Sequence, residues 1–188
     1  MIVTISGRAG SGKSTIAKLI AEKLNLKHYS TGDLMRDIAK ERGISLAELG
    51  KIAEKDKELD TQLDKRQEDL GKNEDNFVID GRLSFHFIPD SIKIFLDINP
   101  EIAVERVYND IKDNKRLTEK DSQDKGSIAK NLQKREASET ARYAKYYGLD
   151  CYDQKQYDLI IDTGNLSIEK IVDKALQFIK KRNAPKSL

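Results

Sequence analysis

The stretch Gly7-Arg8-Ala9-Gly10-Ser11-Gly12-Lys13-Ser14-Thr15 constrains this chain more than any other. It meets the phosphate-loop pattern G-x-x-x-x-G-K-[ST] at every fixed position. Before it runs Met1-Ile2-Val3-Thr4-Ile5-Ser6, an apolar and β-branched segment that predicts a buried parallel strand. After it, Ile16, Leu19, Ile20, Ala21 and Leu24 recur at helical spacing, with Lys18, Glu22 and Lys23 on the opposite face. Strand, glycine loop and helix in that order is the context the motif needs.

The residue types carry the chemistry. Gly7, Gly10 and Gly12 admit backbone angles closed to other residues, so consecutive N–H groups can turn inward around phosphate oxygens. The positive end of the following helix points to the same place. Lys13 supplies a cation for β- and γ-phosphates, and the Ser14 hydroxyl can coordinate Mg²⁺. The nine residues from Gly7 to Thr15 are therefore the expected nucleotide phosphate site.

Composition narrows the class. The 188 residues, 38% hydrophobic and 35% charged, suit one domain with a sizeable core and a highly charged surface. We expect that domain to span 1–183, with 184–188 a frayed tail. The 34 basic and 32 acidic residues leave a net charge of +2, which argues against a general nucleic-acid binder. No run approaches the ~18 apolar residues of a membrane span. No signal peptide is visible, and Cys151 is the sole cysteine, so a cytoplasmic monomer without disulfides is the economical expectation.

Four further strands are predicted at 27–30, 77–81, 92–97 and 157–162. Their alternation with helical segments gives an α/β fold on a parallel five-stranded sheet. Thr31-Gly32-Asp33 offers a turn and a helix start, with Thr31 or Asp33 as cap, and Gly43 ends that helix. Ser45 with Glu48 forms a capping-box pattern for another. The charged stretch 51–72 keeps a thin apolar stripe at Ile52, Leu59, Leu63 and Leu70. Pro100 opens a helix at its favoured first position. Segment 110–127, polar and poorly anchored, is the expected lid, and a long helix follows over 127–147 up to Gly148. Ligands lie beyond the carboxyl ends of such strands, so Asp80, Gly81, Arg82 and Asp97 should gather near the loop.

Three constellations suit phosphate chemistry. Thr31, Gly32 and Arg36 put a glycine turn and an arginine fork at one helix start; a surface pair of Arg36 with Asp33 or Glu41 is the bland alternative. Asp80-Gly81-Arg82 ends a strand beside the loop, where Asp80 together with Ser14 can hold Mg²⁺. Arg135, Glu139 and Arg142 share one helix face at i, i+4 and i+7, either as an ion-pair ladder or as a binding face. Arg106 and Arg116 flank or occupy the lid segment, where cations stabilise a transferring phosphoryl group. His28 and His86 read as packing or surface histidines. Tyr143, Tyr146 and Tyr147 read as packing for the long helix.

Together, the loop, Ser30-Thr31-Gly32-Asp33 with Arg36, Asp80-Gly81-Arg82 and the run from Arg135 to Thr163 resemble the nucleoside monophosphate kinases, in particular the short cytidylate kinases found mostly in archaea. The resemblance implies a three-layer P-loop fold with a helical acceptor-binding region over 31–72 and a short lid. It implies phosphoryl transfer from ATP with Mg²⁺ to CMP or dCMP. Lys13, Arg36, Arg106 and Arg135 would then be the catalytic cations. Arg36 would hold the acceptor phosphate, Arg82 and Arg142 the cytosine edge, and Arg135 and Glu139 the sugar and phosphate. Thr31, Gly32, Asp80 and Gly81 complete the acceptor side.

The chain departs from related patterns at Leu83-Ser84-Phe85, where adenylate kinases carry Phe-Pro-Arg, which disfavours AMP. It also lacks the insert of bacterial cytidylate kinases. Another small-molecule kinase, for UMP, AMP, shikimate or dephospho-coenzyme A, is the alternative within enzymes. A GTPase-like switch is disfavoured, because Asn114-Lys115-Arg116-Leu117 lacks the aspartate of N-K-x-D.

Overall fold

A computed structural model describes residues 1–44, 48–49, 52, 57–113 and 124–183. The expected helix start at Ser45, most of the lid segment including Arg116, and the tail 184–188 lie outside the described residues. Strands β1 (Ile2–Gly7), β2 (Lys27–Ser30), β3 (Phe77–Asp80), β4 (Ile92–Asp97) and β5 (Leu159–Asp162) form one sheet in the order β2-β3-β1-β4-β5. Every pairing is parallel, with Ile5 opposite Asp80 and Ile94, and Ser30 opposite Asp80. β1 is central, and the chain leaves it to one side for β2 and later to the other for β4. Its carboxyl end is the switch point at which such sheets bind ligands.

Period-2 alternation splits the sheet residues between two faces. Val3, Ile5, Val78, Ile94, Leu96 and Ile161 pack one way, against α1 (Lys13–Leu24) and α7 (Ile168–Asn183). On the other face Phe95 meets Leu83, Phe85, Tyr143, Cys151 and Tyr157, an aromatic cluster beneath α6 (Lys125–Tyr147). Phe77 and Ile79 on that face take Ile88, Leu34 and Leu70. The result is helices, sheet, helices in three layers, as expected. Tyr143 and Tyr147 pack α6 as foreseen.

The helix ends follow local chemistry. α2 (Thr31–Glu41) is capped by Ser30, whose Oγ accepts from Gly32 N at 3.2 Å; the cap is therefore one residue earlier than Thr31, because Ser30 ends the strand in an extended conformation. Asn99 caps α5 (Pro100–Lys112), with Pro100 in the first turn. Asp124 caps α6 by accepting from Ser127 N, and Gly148 closes it at φ +66°. Residues 110–112 and 125–127 of the expected lid are thus helical. α3 (Lys57–Asn73) packs on α2, and a single turn α4 (Ser84–Phe87), not foreseen in the sequence, follows β3.

Candidate active site

The carboxyl ends of β1 and β3 and the starts of α1 and α2 enclose a cavity of about 740 Å³. Gly12 at φ +85° turns the chain into α1, and no side chain caps that helix, so its first N–H groups face the cavity. Lys13 Nζ donates to the carbonyls of Gly7 at 3.0 Å and Arg8 at 2.9 Å. Burial, with Arg82 and Arg135 close by, holds the Lys13 ammonium well below its ordinary pKa.

Beside Lys13, Ser14 Oγ donates to Asp80 Oδ2 at 2.8 Å. Asp80 is 5% exposed and also receives Ser30 Oγ at 3.4 Å, while His28 Nε2 contacts its other oxygen at 2.9 Å. Two hard oxygen ligands side by side, next to a phosphate cradle, suit Mg²⁺. That ion takes one or two protein oxygens and completes its shell with phosphates and water.

Arg82 spans both halves of the site. It donates through one nitrogen to Gly7 O and through Nε to Glu139 Oε2 at 2.7 Å. Glu139 also takes Arg135 Nε at 3.0 Å and the Tyr152 hydroxyl at 2.6 Å. Burial alone would raise the Glu139 carboxyl, but Arg82 and Arg135 pull it down to about 2. Burial likewise opposes the Arg82 charge, and Glu139 more than restores it.

Thr31, Gly32, Asp80, Gly81, Arg82 and Arg135 all line the cavity, as does Arg106, which holds the β5–α7 turn through Thr163 O at 2.5 Å and Gly164 O at 3.2 Å. Asp97 sits nearby, bound to Arg8 Nε at 3.0 Å. The Arg8 side chain also meets Glu136 Oε2 at 2.7 Å and lies over the Tyr152 ring, so it braces the loop from outside the cavity. Arg36 is not brought in: it pairs with Asp33 on the α2 surface, both side chains 57% exposed. Glu139 and Arg142 stand behind the cavity wall on α6.

Sequence reasoning missed His28 and Tyr152. His28 was legible in principle, since residues 28 and 30 share a face of β2 and Ser30 is in register with Asp80. Tyr152 lies in an irregular segment with no period to read.

The profile of the cytidylate kinase-like family matches residues 2–165. A protein named cytidylate kinase from Methanocaldococcus jannaschii is 39% identical over 189 residues, covering 96% of this chain and 100% of that one. Its namesake from Methanococcoides burtonii is 37% identical over 163 residues, 87% of each chain. Among solved structures, a shikimate kinase from Bacteroides thetaiotaomicron shares the fold, with a TM-score of 0.62 at 15% identity over 97% of both chains. The chain belongs to the cytidylate kinase-like family.

Proposed function

From that family membership and the cleft just described, we propose that the chain transfers the γ-phosphoryl group of MgATP to CMP or dCMP. The bond from the γ-phosphorus to the bridging β–γ oxygen breaks, an oxygen of the acceptor phosphate forms the new one, and ADP leaves with the bridging oxygen. The observation that carries this reading is the convergence of the phosphate loop, the Ser14–Asp80 pair, Arg82 and Arg135 on one cavity.

Such a transfer needs positioning and charge neutralisation more than a base. The loop N–H groups and the start of α1 hold the donor phosphates. Lys13, crowded by two guanidinium groups, gains most from a polyphosphate arriving beside it. Ser14 and Asp80 would hold Mg²⁺, which neutralises charge on the β- and γ-phosphates when bound. Glu139, ionised and locked by Arg82, fixes the acceptor face of α6. Arg106 stands on the donor side. Arg36 reaches the acceptor phosphate only by leaving Asp33, and we assign it that role. In this reading 1–183 is one domain, 31–72 its acceptor region and 110–127 its lid, and the enzyme works as a cytoplasmic monomer.

ADP release from MgATP with CMP, dCMP, UMP, AMP, GMP, shikimate and dephospho-coenzyme A tests the proposal. Turnover should be fastest with CMP or dCMP. Activity confined to another acceptor would overturn it.

A further inference from the structure

His28 does not line the cavity, yet it touches the carboxylate that serves it. β2 and β3 run parallel with His28 opposite Val78 and Ser30 opposite Asp80, so all four side chains project from the face that α1 covers. From there the imidazole leans one step along the strands, and its Nε2 meets Asp80 Oδ1 at 2.9 Å. A carboxylate only accepts, so Nε2 carries the hydrogen.

The two oxygens of Asp80 thereby divide their work. Oδ2 takes the hydroxyls of Ser14 at 2.8 Å and Ser30 at 3.4 Å, beside the phosphate loop, whereas Oδ1 takes His28. An aspartate carboxylate turns easily about its last side-chain bond, which has no strong staggered preference. The bond from His28 fixes that turn. The imidazole is 22% exposed on the edge strand β2 and covers a carboxylate that is 7% exposed.

We propose that His28 is a positioning residue of the magnesium site, holding Asp80 so that Oδ2 is presented with Ser14 Oγ to an ion on the donor phosphates. It acts through Asp80 and touches neither nucleotide nor ion. The inference rests on the proposed MgATP reading and goes beyond it, because it names what makes the two oxygen ligands a preorganised pair. Partners that orient a ligand in this way are worth roughly ten- to a hundredfold in metal affinity. A bracket that merely tied β2 to β3, which their backbone ladder already joins, would matter equally with and without the metal.

That difference is the test. The β,γ-imido analogue of ATP, which does not pass on its γ-phosphoryl group, is titrated calorimetrically into the full chain with Mg²⁺ and with EDTA. Wild type should bind roughly tenfold or more tightly with the ion. His28→Phe keeps a ring but no donor, and should lose most of that gain while its metal-free affinity holds. His28→Gln places an amide nitrogen near the position of Nε2 and should recover the gain. In turnover, His28→Phe should need roughly tenfold more free Mg²⁺ for half-maximal rate and recover its kcat at saturation. If the phenylalanine variant does not fold, His28→Asn, polar but too short to reach Oδ1, takes its place with the same expectation. An intact metal-dependent gain without the donor, or an equal loss with and without Mg²⁺, overturns the role of His28 alone. So does a glutamine variant that recovers nothing. Wild-type affinity that ignores Mg²⁺ overturns the magnesium site and this role with it, while CMP phosphorylation stands or falls in the acceptor assay.

Discussion

At the scale of single residues, the site is a balance of buried charges. Lys13 is held between loop carbonyls under pressure from Arg82 and Arg135. Lys13→Ala should lower kcat with the preferred acceptor by at least about a thousandfold while leaving thermal unfolding cooperative, as calorimetry beside the kinetic assay would show. Glu139 carries the opposite charge. Its carboxyl ionises at about 2 in the fold, against 4.5 for an unperturbed glutamate, so it stabilises the native state by about 3 kcal/mol at neutral pH. Because the folded value is depressed, that contribution is complete above pH ~4.5 and is lost as pH falls from there to about 2. Urea unfolding of wild type and Glu139→Gln at pH 7, 4 and 2.5 should show a gap of about that size closing with acid.

Elements add constraints that no residue carries alone. The turn after β3 brings Gly81 against α2 and α4: a Cβ there would lie 2.3 Å from both Thr31 Cγ2 and Ser84 Oγ. Gly81→Ala should therefore destabilise by roughly 2 kcal/mol, through overpacking between three elements, measured as a shift in denaturant midpoint at constant slope. At the α3–α6 joint, burial lifts the Asp64 carboxyl to about 6, only partly offset by the Tyr147 hydroxyl. A raised carboxyl costs stability wherever it must ionise. Asp64→Asn should thus raise Tm at pH 7.5, with the gain fading as pH falls through 6 and gone below about 4.

The strands, α1, α5 and the body of α6 up to Gly148 were legible in the sequence because period, proline and glycine mark them; the Asp124 cap was not, and α6 starts two residues before the expected 127. Asp80, Gly81 and Arg82 were legible because a strand end beside a phosphate loop has few other uses. The meeting of Asp60 on α3 with Arg142 on α6, Oδ1 to Nη1 at 3.8 Å, was not, since it joins residues 82 positions apart across two charged helices whose surface pattern looks the same whether or not they touch. Arg36 shows the opposite case. Its spacing suited a phosphate, and the same spacing suits the i, i+3 pair with Asp33 that it makes.

For the whole molecule, the phosphate loop ties sheet, α1 and α6 into one unit, through Arg82 to Glu139 and Arg8 to Glu136. Ligands bound there should stabilise the entire fold. MgATP at a hundred times its Kd should add about 2.7 kcal/mol, read as a rise in Tm that Lys13→Ala largely abolishes. Cys151 lies beneath this unit, 1% exposed in the aromatic cluster, with its thiol pushed up to about 12 by burial. As the chain's single thiol, it is a built-in clock of molecular opening. A disulfide reagent at neutral pH can modify it only in molecules that have transiently come apart. The labelling rate of the unaltered protein should slow in step with nucleotide concentration, so native stability can be followed at room temperature without heat, denaturant or an introduced probe.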